Sequence, residues 1–175
     1  ISKKNHNFLY YQEKILLGKS VTKSDVFDIL LFANRNIENV VIPSFVKKIA
    51  SYSFHMCRNL QKVEFLKDSK LEIIEKDSFA FTDLKSIMIP QHVKFIGEYT
   101  FCCCENLKDV NFDANSKLKY FGKKVFKYCP LKNIQIPNHV KSISKKLFDN
   151  CMNLKDIKFD KNSELEAFGE YSLSL

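Results

Sequence analysis

The sequence predicts an α/β repeat protein, a solenoid of stacked turns rather than a closed globule. Two observations carry this. Pro43, Pro90 and Pro137 are spaced 47 residues apart, and the same step links Val46, Val93 and Val140, then Ile49, Ile96 and Ile143, then Phe54, Phe101 and Phe148. The unit also divides: "LEIIEKDSF" at Leu71 resembles "VKKIASYSF" at Val46, so Phe54 to Phe79 is 25 residues and Phe79 to Phe101 is 22. Each 47-residue unit is thus a double repeat of two turns of about 23 residues, in alternating flavours. Self-similarity at a fixed period marks units that bury their apolar faces on one another.

Each turn has three parts. The first, L-x-x-V/I-x-F/I, alternates so that Val63 and Phe65 fall on one face and Lys62 and Glu64 on the other, the pattern of a half-buried strand. The second, V/L-x-x-I/F, as at Val46 and Ile49 or Leu118 and Phe121, points two apolar side chains inward at a bend. The third places a Phe, then Cys or Thr three residues on, then Leu, as at Phe54, Cys57 and Leu60. That spacing suits a short helical turn opposite the strands. Ile37, Val40 and Ile42 align with Leu84, Ile87 and Ile89, so the array runs over 37–175 and residues 1–36 form an N-terminal capping segment. In that segment Phe27 and Phe32 align with Ile74 and Phe79, which places them over the first turn.

Composition narrows the class. With 45% hydrophobic and 27% charged residues the chain has an ordinary globular balance. No apolar run approaches the roughly 18 residues needed to span a bilayer. The opening "ISKKNHN" lacks an apolar leader segment, and a chain that opens on Ile leaves the compartment undecided. The net charge of +8 is compatible with an anionic partner such as nucleic acid, sulfated glycan or acidic lipid. Only Arg35 and Arg58 among 28 basic residues are Arg, which argues for a solvated lysine surface and against specific nucleic-acid reading.

No catalytic or metal constellation emerges. Cys57, Cys104, Cys129 and Cys151 share a column with Thr82, which fits small inward side chains and free buried thiols. A Cys104–Cys129 disulfide is geometrically conceivable between adjacent turns, but a stacking column turns the side chains away from each other. "CCC" at Cys102 to Cys104 lacks the second paired knuckle of a zinc site. His92 and His139 share a loop column after Pro, and nothing places a Ser and an Asp beside either. Gly97, Gly122 and Gly169 follow the bend, where tight backbone geometry is wanted. Asn59, Asn106 and Asn153 precede the Leu in one flavour of turn, where inward amides could bond the backbone of the loops. No catalysis, cofactor or metal is expected.

Two outward sets remain. The strand positions facing away from the core are Asn39 and Val41, Lys62 and Glu64, Ser86 and Met88, Asp109 and Asn111, Asn133 and Gln135, and Asp156 and Lys158. From Lys62 to Lys158 they form the candidate partner-binding face, varied side chains on a constant frame; neutral drift would also vary them. Lys85, Lys108, Lys132 and Lys155, with Gln61 in the first such place, form a candidate basic ridge along one border. It could grip a sulfated or phosphorylated polymer. Lysines at exposed strand borders also simply prevent edge pairing, and that reading is preferred.

The pattern I-P-x-x-V-x-x-I-x-x-x-x-F-x-x-C-x-N-L-x-x-V-x-F, carried by Ile42, Pro43, Val46, Ile49, Phe54, Cys57, Asn59, Leu60, Val63 and Phe65, recurs at Ile89 and Ile136. It resembles the BspA-like class of leucine-rich repeats, and "SKLEIIEKDSF" and "SKLKYFGKKVF" look like the alternate repeat of protist members. The stretch "ILLGK…DVFDILLFANRNIENVVIP" looks like the hairpin that caps such arrays. The resemblance implies a right-handed leucine-rich-repeat solenoid with one curved parallel sheet. It also implies a non-enzymatic binding or adhesion module, at the cell surface or secreted, with a protein or anionic glycan as partner. The cytoplasm stays open as a location, and a structural spacer or self-associating segment of a larger surface protein is the alternative function. "SELEAFGEYSLSL" follows "SKLKYFGKKVFKY" through the bend and then stops before a strand. A weak homodimer through Phe159, Leu165, Phe168 and Leu173 is therefore expected.

Overall fold

The structure is a computed structural model that describes residues 6–172. The chain winds through about six turns, each with three sides. On the first side lie β4 (Asn39–Ile42), β6 (Lys62–Phe65), β8 (Ser86–Ile89), β10 (Asp109–Phe112), β12 (Asn133–Ile136) and β14 (Asp156–Phe159). Their alternation holds: Val40, Val63, Ile87, Val110 and Ile134 are buried, while the residues between them face solvent.

These six strands stand in the expected order and pair in parallel, but not as one sheet. β4 pairs with β6, β8 with β10, and β12 with β14, as three separate two-stranded sheets. The loops explain the seams. The longer loop after β6 docks back on the preceding turn, Lys70 N–H donating to Ser44 O at 2.8 Å. The loops after β10 and β14 repeat this, with Lys117 N–H to Gln91 O at 2.9 Å and Glu164 N–H to Asn138 O at 2.7 Å. The two turns of each double repeat thus close on each other, and the seam between one double repeat and the next is left open.

The continuous sheet is on the second side, at the bend. There β5 (Lys48–Ile49), β7 (Ile73–Ile74), β9 (Phe95–Ile96), β11 (Tyr120–Phe121), β13 (Ser142–Ile143) and β15 (Ala167–Phe168) form an unbroken parallel ladder. Two-residue strands are legible in sequence only as bends; their partners on both sides make them a sheet. The ladder continues into β3 (Ile29–Ala33), parallel to β5, then antiparallel β2 (Ile15–Gly18) and β1 (Phe8–Tyr11), giving nine strands. Leu30, not Phe27, faces Ile49 in this ladder, and Phe32 is exposed, lying 4.4 Å beneath the Arg35 guanidinium.

The third side corrects the expected helical turns: among the described residues no helix forms. Residues two before and two after each repeat Phe adopt left-handed φ, as at Tyr52 (62°) and Met56 (59°), Asp77 (52°) and Phe81 (59°), and Tyr99 (55°) and Cys103 (56°). Helical φ/ψ therefore cannot propagate. The alternation instead aims peptide N–H groups along the solenoid axis. Phe54 N–H donates to Ser78 O at 2.8 Å, Phe79 to Thr100 O at 3.0 Å, Phe101 to Val125 O at 3.0 Å and Phe126 to Leu147 O at 3.1 Å, each turn bonding the next in the same sense. Single turn bonds remain within each turn, such as Cys57 N–H to Phe54 O at 3.0 Å, and the inter-turn bonds satisfy the N–H groups between them.

Inside, Phe54, Phe79, Phe101, Phe126 and Phe148 stack as a column, with centroids 4.8, 5.6, 5.8 and 5.7 Å apart and ring planes within 11°. The thiol column runs beside it. Cys104 Sγ donates to Phe79 O of the turn before at 3.2 Å, Cys129 to Phe101 O at 3.0 Å and Cys151 to Phe126 O at 2.9 Å. These cysteines and Cys57 are free and buried. Gly122 is required by close approach: a Cβ there would sit 2.4 Å from Glu98 N and 2.6 Å from the Gly97 carbonyl carbon. At the N-terminal end Arg35 Nη1 donates to Ser53 O at 3.2 Å and reaches Cys57 Sγ at 3.5 Å, placing a cation over the carbonyl end of the third side.

Candidate binding face

The register assembles the outward strand positions into two columns. Asn39 stands beside Lys62, Ser86 beside Asp109 and Asn133 beside Asp156. The second column sets Val41 beside Glu64, Met88 beside Asn111 and Gln135 beside Lys158. All of these residues are exposed, Met88 at 55%. Lys62 pairs with Glu64 on its own strand, and Lys158 lies 3.9 Å from Asp156. These exposed pairs are screened by water and contribute little to stability, so the face is free to exchange them for a partner's groups.

The lysine border is also in place. Lys85 Nζ donates to Gln61 Oε1 at 3.1 Å. Among the described residues the ammonium groups of Lys108, Lys132 and Lys155 have no acidic partner, and all are exposed. Asn59, Asn106 and Asn153 belong to this exterior as well. They are exposed rather than inward, and Asn106 Nδ2 donates to Asp83 Oδ1 at 2.5 Å. Their position beside a buried Leu left the side undetermined in sequence; the chain direction at the end of the third side turns them out. His139 faces Glu164 at 2.7 Å on the loop rim, and His55 is half-buried between Tyr52 and Phe81.

Sequence reasoning did not foresee two grooves along the open seams. Between β6 and β8 lies a groove of about 410 Å³ bordered by Lys62, Glu64, Leu66, Lys67, Met88 and Gln91, among others. Between β10 and β12 lies one of about 460 Å³ bordered by Asn111, Asn133, Gln135, Asp109, Asp113 and Lys158, among others. The available signal was loop length: Lys62 to Ile73 is 11 residues where Asn39 to Lys48 is 9. At the far end Phe159 is 38% and Phe168 55% exposed, their rings 6.2 Å apart and edge-on, with Leu165 half-buried beside them. Leu173, the fourth residue expected at that contact, lies outside the described residues.

A stack of short parallel strands with apolar columns inside and a varied outward strand face defines a leucine-rich-repeat solenoid. The model of the BspA type leucine rich repeat region matches six copies over residues 29–155 and 119–174, and the chain belongs to that family. Among solved structures it is similar to a leucine-rich repeat protein of T. pallidum, at 21% identity over 97% of this chain and 85% of that one, with a TM-score of 0.69. A leucine-rich repeat protein of Eubacterium ventriosum is 23% identical over 98% of this chain and 50% of its own length, with a TM-score of 0.70. A leucine rich cell surface protein of Faecalibacterium prausnitzii is 16% identical over 94% and 55%, with a TM-score of 0.57. At these identities the likeness is one of fold. No curated protein matches the chain. No helix among the described residues is long and apolar enough to cross a membrane.

Proposed function

We propose that the chain is a non-enzymatic binding module, used in adhesion, that engages a protein or glycan through the outward faces of β4 to β14. One observation carries this reading: the inward strand positions are apolar in every turn, while the outward positions of the same strands are exposed and differ from turn to turn. A frame that constrains one face and frees the other suits recognition. The family and the F. prausnitzii neighbour support placement at the cell surface or in the secreted fraction. The lysine border serves chiefly to keep strand edges from pairing, and gives a sulfated glycan only salt-sensitive attraction. The test is binding of the purified chain to cells and to immobilised surface extracts, beside a variant with Glu64, Met88, Asn111 and Gln135 all changed to Ala. Binding lost with an unchanged melting curve supports the reading; binding kept by the variant sinks it.

The exposed rings of Phe159 and Phe168 favour a second reading, in which copies associate weakly through the last turn as a spacer or assembly segment. Sedimentation at rising concentration then shows a dimer that Phe168→Asp abolishes. A monomer throughout removes this alternative.

A further inference from the structure

The seam between β10 and β12 differs from the paired strands in both backbone and lining. β10 bonds to β8 and β12 to β14, and among the described residues no backbone hydrogen bond crosses from β10 to β12. The facing strand edges therefore turn unpaired peptide groups into a groove of about 460 Å³. Such groups must be met by water or by a ligand that offers donors and acceptors in its place.

The side chains around the groove narrow what that ligand is. Asn111, Asn133 and Gln135 each supply an amide that both donates and accepts. Asp109 and Asp113 accept only, and one Asp113 oxygen is already held by the Asn115 N–H at 2.8 Å. Lys158 is the one cation of the lining and lies near Asp156. The carboxylates outnumber it, so a sulfate or uronate entering the groove meets net repulsion. Phe112, at the inward strand position, also lines the groove, but its half-buried ring packs edge-on against Phe121 at 6.0 Å rather than opening to a ligand. Amides and carboxylates for hydroxyl groups, and no surplus of positive charge, match the chemistry of an uncharged sugar.

We propose that the β10/β12 groove is a subsite for a neutral, hydroxyl-rich saccharide. This rests on the outward strand face being the binding face, and sharpens it from "protein or anionic glycan" to an uncharged glycan at one seam. The β6/β8 groove is an internal control. It has the same backbone origin and a similar volume, but it is lined by a single side-chain amide, Gln91, where the β10/β12 groove has four, and its polar Glu64, Ser86 and Asp113 stand among Lys62, Lys67 and the apolar Leu66, Met88 and Pro90.

The test is NMR titration of isotopically labelled protein with cellobiose, chitobiose, maltose and lactose, and separately with a heparin disaccharide, up to tens of millimolar. At least one neutral disaccharide should shift the side-chain amides of Asn133 and Gln135 with a millimolar Kd. Asn133→Ala with Gln135→Ala should weaken it about tenfold or more, as loss of two neutral hydrogen bonds does, and Lys67→Ala, in the β6/β8 groove and outside the binding face, should leave it unchanged. No shift from any neutral disaccharide, shifts centred on the β6/β8 groove, or a response to the heparin disaccharide alone overturns the proposal. If the subsite fails while the four-alanine variant still loses cell binding, the binding-face reading stands; if both fail, that reading falls as well.

Discussion

Phe101→Ala tests the packing most directly. The ring is wholly buried and lies between Phe79 at 5.6 Å and Phe126 at 5.8 Å, stacked nearly parallel to both. Truncating a core Phe costs about 3–5 kcal/mol, the spread reflecting how far the site can collapse. Here collapse is resisted. The turns on either side are held apart by backbone bonds, Phe79 N–H to Thr100 O and Phe101 N–H to Val125 O, both at 3.0 Å. Two aromatic contacts also disappear, at about 0.5–1.5 kcal/mol each beyond area, so the loss belongs at the upper end, about 4–5 kcal/mol. Phe54→Ala, with the single stacked neighbour Phe79, should cost about 1 kcal/mol less. Urea titration followed by circular dichroism gives the midpoint and the slope. A reduced slope would show the two halves of the array melting separately. Phe81, 37% exposed two residues after its repeat Phe, is the control, and its truncation should cost under about 1 kcal/mol. A Phe101→Ala loss of less than about 1 kcal/mol, or a Phe81→Ala loss as large as it, would refute the stacked-column account.

Other expectations follow from named contacts. Gly122→Ala must drive a methyl into the backbone of the turn before, which cannot yield as a side chain would. A loss of about 3 kcal/mol or more, read from the same urea titration, is expected, and a neutral result would mean the turns are spaced more widely. Arg35→Ala removes the donor to Ser53 O and the cation over Phe32 and should cost about 1–2 kcal/mol, with Arg35→Lys recovering only part. Burial pushes the Cys104 thiol up to about 11 and the Cys151 thiol up to about 12, from an ordinary 9. The folded state thus holds these protons more tightly than the unfolded chain. The stability they confer is complete below pH 9 and declines as pH climbs through 11 to 12. Replacing both by Ala should flatten that decline, and thiol titration of the parent chain should be slow when native and fast in denaturant.

Much of the frame was legible because it is written in short-range spacing. The 47-residue step, the six long strands, the Phe column and the Cys/Thr column appear as identities at fixed intervals, and each interval is one wrap of the chain. Apolar alternation at Val63 and Phe65 was enough to assign inside and outside. The outward positions of the candidate face followed from the same alternation, so their residues could be named before any coordinates.

What failed to show in sequence depends on partners one turn away. Phe54 and Cys57, three apart, suit a helix by local spacing, yet the N–H of Phe54 finds Ser78 O in the next turn, and left-handed φ at Tyr52 and Met56 is the conformation that aims it there. Ile73–Ile74 is too short to announce a strand, and becomes one only because β5 and β9 flank it. Asn106 points outward to Asp83, a residue 23 positions earlier. The open seams, and with them the grooves, arise where a longer loop docks backwards and leaves the next turn's strand unpaired. The sequence by itself determined the period, the core columns and which strand residues face solvent, because these depend on hydrophobic spacing within one turn. Tertiary structure decided the backbone of the third side, the division of the strands into pairs and the place of the grooves, because each depends on which peptide group of a neighbouring turn completes a hydrogen bond.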